Sequence, residues 1–183
     1  MTPQQLQQCV SALVPAATYP GSYTIVSDSS GSASIGLWNN AAGAQPTADQ
    51  LAAELLVLQL AAAKAAQLAI IAAASLAAQT SGFTSSALGS SHSYPSGAAD
   101  QSNLTAVVTA SLIPGQPSGT TYLFWCSDSS GAGVFAAHTA AQIQQAGLDG
   151  MAAIMAAKQK QLTLSQQIEA ATTVAAVTAV VWS

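Results

Sequence analysis

The side chains that could perform chemistry are few and are not grouped along the chain. His92 and His138 are the only histidines, and neither has a cysteine or carboxylate at metal-ligand spacing. The seven acidic residues are scattered singly, with no pair that stands out as a hydrolase pair. The chain contains no phosphate-binding glycine loop, dinucleotide-binding glycine motif or nucleophile elbow. The sequence therefore predicts a protein that is not an enzyme, with no catalytic residue, cofactor or metal. We expect both histidines to be solvated or to flank a helix.

Two other kinds of residue could carry a function. Cys9 and Cys126 could pair, but nothing else in the sequence is typical of a disulfide scaffold, so buried or unpaired thiols are the expectation. Trp38, Trp125 and Trp182 are expected to anchor the core of a chain that has few large side chains. The alternative is that exposed aromatic rings form a recognition surface.

The charge composition excludes several classes of partner. Charged residues make up 5% of the 183 residues, the net charge is −4, and Lys64, Lys158 and Lys160 are the only cationic side chains besides histidine. A nucleic-acid interface needs a basic patch to neutralise phosphates, and an anionic membrane surface attracts proteins through the same kind of patch. We therefore expect neither partner. A surface of Ser, Thr, Gln and small side chains favours close contact between subunits.

Residues 51–78 form the one apolar stretch that approaches the length of a membrane span, for which about 20 apolar residues are needed. Glu54, Gln59, Lys64 and Gln67 interrupt it, and much of the rest is alanine. A charge near the centre of a span is costly, so we predict no membrane span. The first residues lack a positively charged segment followed by an apolar core, which predicts no signal peptide and synthesis in the cytoplasm.

Two segments predict β-hairpins. Residues 22–26 and 34–38 flank the pentapeptide Ser-Asp-Ser-Ser-Gly at 27–31, and the same pentapeptide recurs at 127–131 between two further strand-like segments. Asp28 and the equivalent Asp128 superficially suggest calcium sites, but the remaining oxygen ligands of a calcium loop are missing. Recurrence of good turn chemistry in a serine-rich chain explains the repeat. A duplicated module is the alternative.

A long helix is predicted after the first hairpin. Thr47 can cap it, with Gln50 three residues later as in a capping box, and no Gly or Pro follows until Gly82. The helix should thus run for about 30 residues, or about 45 Å. Apolar residues recur on it at alternating four- and three-residue spacing, as in a coiled coil. This candidate oligomer seam consists of Leu51, Leu55, Leu58, Ala62, Ala65, Ala69, Ala72 and Leu76.

The seam has two interpretations. The helix is either buried within its own small domain or packed in an intermolecular bundle, since the rest of the chain has few large apolar residues to cover it.

The predicted fold is α+β and mostly helical: two small β-hairpins, each followed by helices, and one long Ala-rich helix. The domain boundaries follow from composition. Residues 1–79 form the first domain, the Ser/Gly-rich residues 80–93 a linker, and residues 94–183 the second domain.

Within the second domain we predict several helices. One is short and begins at Asp100; another is capped by Thr139 and has a break near Gly147 or Gly150. Two more are predicted at 164–170 and 172–182, with Thr173 as a possible cap of the last.

The second domain resembles an uncharacterised domain of phage tail-fibre and tail-assembly proteins. The matching segments, in order, are 94–104 (YPSGAADQSNL), 124–128 (FWCSD), 138–143 (HTAAQI), 168–173 (IEAATT) and 181–182 (VW). The resemblance covers about half of the chain and implies no functional residues, because the domain has no established activity.

The first domain is similar, more weakly, to small tail-fibre assembly proteins. The similar segments are 23–26 (YTIV), 38–39 (WN) and 45–51 (QPTADQL), whereas the Ala-rich continuation at 61–78 departs from that family.

These resemblances imply a virion location, in the tail, for a chain made in the host cytoplasm. Other phage tail proteins and copies of the chain are the expected partners. The first hypothesis is a structural tail protein, such as a fibre, baseplate or adaptor component, that oligomerises and links tail parts. The alternatives are a tail-fibre assembly chaperone and a receptor- or glycan-binding module that uses exposed aromatic rings.

Overall fold

A computed structural model describes residues 1–183 and confirms the α+β class. The helices are α1 (Pro3–Leu13), α2 (Ala48–Thr80), α3 (Ala98–Ser111), α4 (Ala140–Ala170) and α5 (Val174–Thr178). The strands are β1 (Tyr23–Ser27), β2 (Ala33–Trp38), β3 (Phe83–Ser85), β4 (His92–Tyr94), β5 (Tyr122–Ser127) and β6 (Gly133–His138). Strands β1 and β2 form one antiparallel sheet, and the other four form a second sheet in the order β3-β4-β5-β6.

The chain divides into two compact units. The first comprises Met1–Gln67 and Ala171–Ala179, and the second comprises Leu68–Ala170 and Val180–Ser183. The division therefore falls inside α2, not at residues 80–93, where composition places a linker. That segment carries β3 and part of β4, which pair antiparallel, and Phe83 stacks on Tyr94 across the pair with a centroid distance of 5.2 Å. Gly82, with φ +100°, makes the turn from α2 into β3.

Helix α1 was absent from the sequence-based prediction, although its start is encoded locally. Thr2 and Gln5 form a capping box in which each side chain accepts a hydrogen bond from the other residue's backbone N–H, and Pro3 occupies the first helical position. The helix buries Leu6, Cys9 and Val10. These residues pack with Tyr23 and Leu51 into the core of the first unit.

The same capping chemistry starts the two long helices, as predicted. The Gln50 N–H donates to Thr47 Oγ1 at 3.2 Å, and the Thr47 N–H donates to Gln50 Oε1 at 2.8 Å. Thr139 and Gln142 repeat this pair at 3.3 and 2.8 Å before α4. Thr173 caps α5, but this helix ends at Thr178.

The predicted break in α4 is wrong. The helix runs without interruption from Ala140 to Ala170 and includes the segment expected as a separate helix at 164–170. Its two glycines serve close packing: a Cβ on Gly147 would lie 2.8 Å from Val108 Cγ2, and one on Gly150 would lie 3.0 Å from the Phe83 ring. Gly147 and Gly150 thus let α3 and β3 approach the helix at the cost of helix propensity.

Both predicted hairpins are present, and their turns are built in the same way. Asp28 Oδ1 accepts hydrogen bonds from the Ser30 N–H at 2.8 Å, the Ser30 hydroxyl at 2.6 Å and the Ser32 N–H at 3.0 Å. Asp128 Oδ1 accepts the equivalent bonds from Ser130 and Ala132. Each hairpin is also preceded by a short helix and followed by a helix of more than 30 residues. The two hairpins thus share their turn geometry and the order of their flanking helices, although the first forms a two-stranded sheet and the second belongs to a four-stranded one.

Candidate functional site

The chemistry-bearing residues of the second unit meet in its core. The Tyr94 hydroxyl lies 2.8 Å from His138 Nε2, and His138 Nδ1 lies 3.0 Å from the Ala136 carbonyl oxygen. Because a carbonyl only accepts, Nδ1 must carry the proton of that hydrogen bond, and Nε2 shares the other hydrogen bond with the tyrosine hydroxyl. His138 is fully buried and so is not solvated, but it does flank a helix as expected, since α4 begins two residues later at Ala140. His92 is half-buried, and its Nδ1 lies 2.8 Å from the Ser90 carbonyl oxygen.

The protonation state of this cluster argues for a structural role. Burial raises the pKa of Tyr94 to about 12, and the neighbouring Cys126 thiol adds to the rise. Burial also raises the pKa of Cys126 itself. Both groups are therefore protonated near neutral pH, and both are buried. A nucleophile needs an ionised, accessible atom, so the cluster holds β4, β5 and β6 together by packing and hydrogen bonding.

The cysteines are free and buried, as predicted. Cys9 belongs to the core of the first unit and Cys126 to the core of the second. Burial raises the pKa of Cys9, and the charge of Glu54 raises it further. A raised pKa keeps the thiol protonated and unreactive.

The carboxylates of Asp28 and Asp128 accept hydrogen bonds within their own turns. The Ser30 hydroxyl bond lowers the pKa of Asp28, and the Ser130 hydroxyl bond does the same for Asp128. Each carboxylate accepts three bonds on one oxygen from the adjacent loop. No group of three or more His, Cys, Asp or Glu side chains is arranged to hold a metal ion.

The candidate oligomer seam is only partly available. Leu51 is buried, and Leu55 and Leu58 are half-buried against the core of the first unit. These three residues are already packed within their own chain. The prediction that all eight residues form one intermolecular face is therefore wrong for them. The remaining five are exposed, and we call them the α2 seam: Ala62, Ala65, Ala69, Ala72 and Leu76.

Burial within the second unit uses another side of α2. Ile71 and Ser75 are fully buried there, and the Ser75 hydroxyl donates to the Ala157 carbonyl oxygen at 3.4 Å. Neither residue belongs to the seam. Helix α2 is also the one helix that is long and apolar enough to cross a membrane, and only 6% of its most apolar 18 residues are buried. Most of this apolar surface is thus uncovered in the single chain.

A second apolar surface lies between α3 and α4. This α3–α4 groove has a volume of about 690 Å³. Its apolar lining includes Leu104, Val108, Leu112, Leu148, Met151 and Met155. Methionine side chains are flexible and adapt to varied apolar partners, so the groove suits an apolar group, and Lys158 adds one positive charge to its lining.

The three tryptophans differ in burial. Trp38 is half-buried beside Tyr23 and donates from Nε1 to the Gly43 carbonyl oxygen at 2.9 Å. Trp182 is half-buried, with Lys160 Nζ 4.8 Å from its ring centroid. Trp125 is 43% exposed. The expectation that each tryptophan anchors a core is therefore wrong for Trp125, because strand alternation points it away from the buried Phe124 and Cys126.

Comparison with known proteins identifies one related family. No curated protein and no solved structure matches the chain. A family described as a domain of unknown function, DUF4376, matches residues 62–181, which is more than half of the 183 residues. The matched region contains the α2 seam, the α3–α4 groove and Trp125. The chain belongs to this DUF4376 family.

Proposed function

We propose that the chain is a structural component of a bacteriophage tail that self-associates and links tail parts through the α2 seam. The observation that carries this proposal is the uncovered apolar surface of α2. Leu76 is 62% exposed, and its seam neighbours are alanines that are also exposed. A surface of this kind marks an interaction site when it is contiguous.

The composition of the α2 seam favours contact with another protein surface over contact with lipid. Small side chains allow the backbones of two helices to approach closely, which increases van der Waals contact. Glu54 and Lys64 lie on the same helix, and charges within a membrane span are costly. In addition, Leu51 near the start of α2 is buried in the core of the first unit. Helix-on-helix packing covers the seam without moving these groups into lipid.

The tail location is supported by sequence resemblance. Residues 94–183 resemble the domain of phage tail-fibre and tail-assembly proteins, and residues 23–51 follow the outline of small tail-fibre assembly proteins. A chain with three lysines and a net charge of −4 suits contacts with other proteins rather than with the packaged genome.

The seam can be tested by adding charge to it. Replacing both Ala65 and Ala72 with Glu should raise the dissociation constant of self-association at least a hundredfold, because four or more carboxylates would meet in a closely packed interface. Sedimentation velocity over a range of concentrations measures this. The matched control replaces Ala66 and Ala77 with Glu. Both residues are exposed but lie about a quarter turn around the helix from the middle of the seam. Equal weakening by both pairs, or by neither, would contradict the proposal.

The tail location can be tested on particles. Quantitative mass spectrometry of purified virions should find the chain in several copies per particle. If the chain were abundant in the lysate of infected cells but absent from mature particles, the structural role would be contradicted and the assembly chaperone favoured.

A further inference from the structure

The outward face of the β5–β6 hairpin carries an aromatic surface. Trp125 pairs with Phe135 across the strands, and their rings meet edge to face with a centroid distance of 5.3 Å. Phe135 is 64% exposed. The six-membered ring of Trp125 covers Gly133, since a Cβ there would lie 2.4 Å from Trp125 Cζ2. Gly133 thus lets the indole lie against the sheet, and we call Trp125 and Phe135 the Trp125 platform.

Polar side chains border the platform on two sides. A cavity of about 340 Å³ on one side is lined by Asp100 and Asn103 of α3 together with both platform rings. A cavity of about 410 Å³ on the other side is lined by Trp125 and by the hydroxyls of Thr84, Ser93 and Ser127.

Most of these polar groups are unused within the chain. The side chains of Asn103, Thr84, Ser93 and Ser127 make no hydrogen bond to other residues of the chain. Only Asp100 has a partner, the Gly97 N–H at 3.1 Å, and this contact leaves its other carboxylate oxygen open. A purely apolar partner would bury these donors and acceptors without satisfying them, which is unfavourable.

We propose that the Trp125 platform is a binding site for a neutral carbohydrate. A pyranose ring presents an apolar C–H face that can stack on an indole, and hydroxyls around its edge that can pair with amide, hydroxyl and carboxylate groups. The platform offers these two kinds of surface side by side, as ligand sites commonly do. No lysine lines either cavity, whereas Asp100 lines one of them. This charge pattern disfavours phosphorylated, sulfated or carboxylated sugars. The proposal does not depend on the proposed function, because the platform and the α2 seam share no residue.

The test uses the full chain on a panel of immobilised oligosaccharides. The neutral members are oligomers of glucose, mannose, galactose and N-acetylglucosamine, and polygalacturonate is the anionic member. The chain should bind at least one neutral oligomer and not polygalacturonate. Trp125→Ala should weaken that binding at least tenfold, which corresponds to about 1.4 kcal/mol. Trp125→Tyr should restore part of it, because a tyrosine ring can also stack.

Two further variants make the result independent of any effect of Trp125 on folding. Asn103→Ala should weaken binding several-fold, because the exposed amide would no longer reach a sugar hydroxyl. Leu37→Ala is the matched control: Leu37 is 73% exposed on the first hairpin, and its loss should leave binding unchanged.

Three results would overturn the carbohydrate site: no neutral oligomer bound by the parent chain, equal binding by Trp125→Ala, or preferred binding of polygalacturonate. Loss of self-association in Trp125→Ala without loss of sugar binding would assign the platform to a subunit contact instead. The Ala65→Glu and Ala72→Glu double variant should bind sugar like the parent, so failure of the α2 seam and failure of the platform give different results.

Discussion

Replacing Ile143 with Ala should lower the free energy of unfolding of the second unit by about 2–5 kcal/mol. Ile143 is fully buried on α4 and packs in the cluster that includes Phe83, Tyr94 and Phe124. Its truncation removes apolar contacts and leaves a cavity among aromatic rings that cannot collapse easily. A loss of this size is a large part of the stability of a domain, which is typically about 5–15 kcal/mol.

Hydrogen–deuterium exchange of the α4 peptides is the appropriate measurement, because the two units can unfold in separate transitions. Leu148→Ala on the same helix is the matched control. Leu148 is 55% exposed, so its truncation should cost clearly less than that of the fully buried Ile143. Similar losses for Ile143→Ala and Leu148→Ala would contradict the assignment of the inward face of α4.

Replacing Tyr94 with Phe should lower the stability of the second unit by about 1–3 kcal/mol at neutral pH. The substitution keeps the aromatic stack with Phe83 but removes the hydroxyl that is hydrogen-bonded to His138 Nε2. The buried ring nitrogen then has no hydrogen-bond partner, and an unsatisfied buried polar atom costs more than a hydrogen bond contributes. Chemical denaturation monitored by exchange of the β4 and β5 peptides measures the loss.

The pH dependence of the same variant gives an independent check. The pKa of Tyr94 is about 12 in the folded chain, against about 10 when unfolded. The protonated form is therefore favoured by folding, so its contribution to stability is complete below pH 10 and is lost as the pH rises towards 12. A difference of about two units between the folded and unfolded pKa corresponds to about 3 kcal/mol in the free energy of unfolding.

The parent should thus lose stability steeply between pH 10 and 12, and the loss should be smaller in Tyr94→Phe. The raised pKa of Cys126 gives a loss of the same sign, which the variant retains in part. A parallel pH profile for parent and variant would show that Tyr94 is not held protonated by its surroundings.

The fold leaves its apolar surfaces in places that favour assembly. The α2 seam, the α3–α4 groove and the Trp125 platform are all exposed in the single chain, and the charges that usually keep a soluble surface free of contacts are scarce. The platform differs from the other two because free hydroxyl and amide groups border it. This difference in polarity is the reason for proposing subunit contacts at the seam and a carbohydrate at the platform.

Features that depend on neighbouring residues could be predicted from the sequence. The capping pairs at Thr47 and Thr139 and the two Ser-Asp-Ser-Ser-Gly turns rest on hydrogen bonds across two to four positions, so their residue types suffice to predict them. The same rule would have found α1, whose Thr2 and Gln5 form an equivalent pair. The length of α2 followed from the absence of Gly and Pro.

Which residues each element buries depends instead on contacts between distant parts of the chain. His138 is buried because Tyr94, 44 residues away, supplies its hydrogen bond, and no local pattern encodes that contact. The regular spacing of Leu and Ala along α2 predicts one continuous face, but the packing of each unit buries Leu51 and Ile71 and leaves Ala65 and Ala72 exposed. Alternation within β5 predicts that Phe124 and Trp125 face opposite ways. Which of the two faces the core depends on where α3 and α4 cover the sheet.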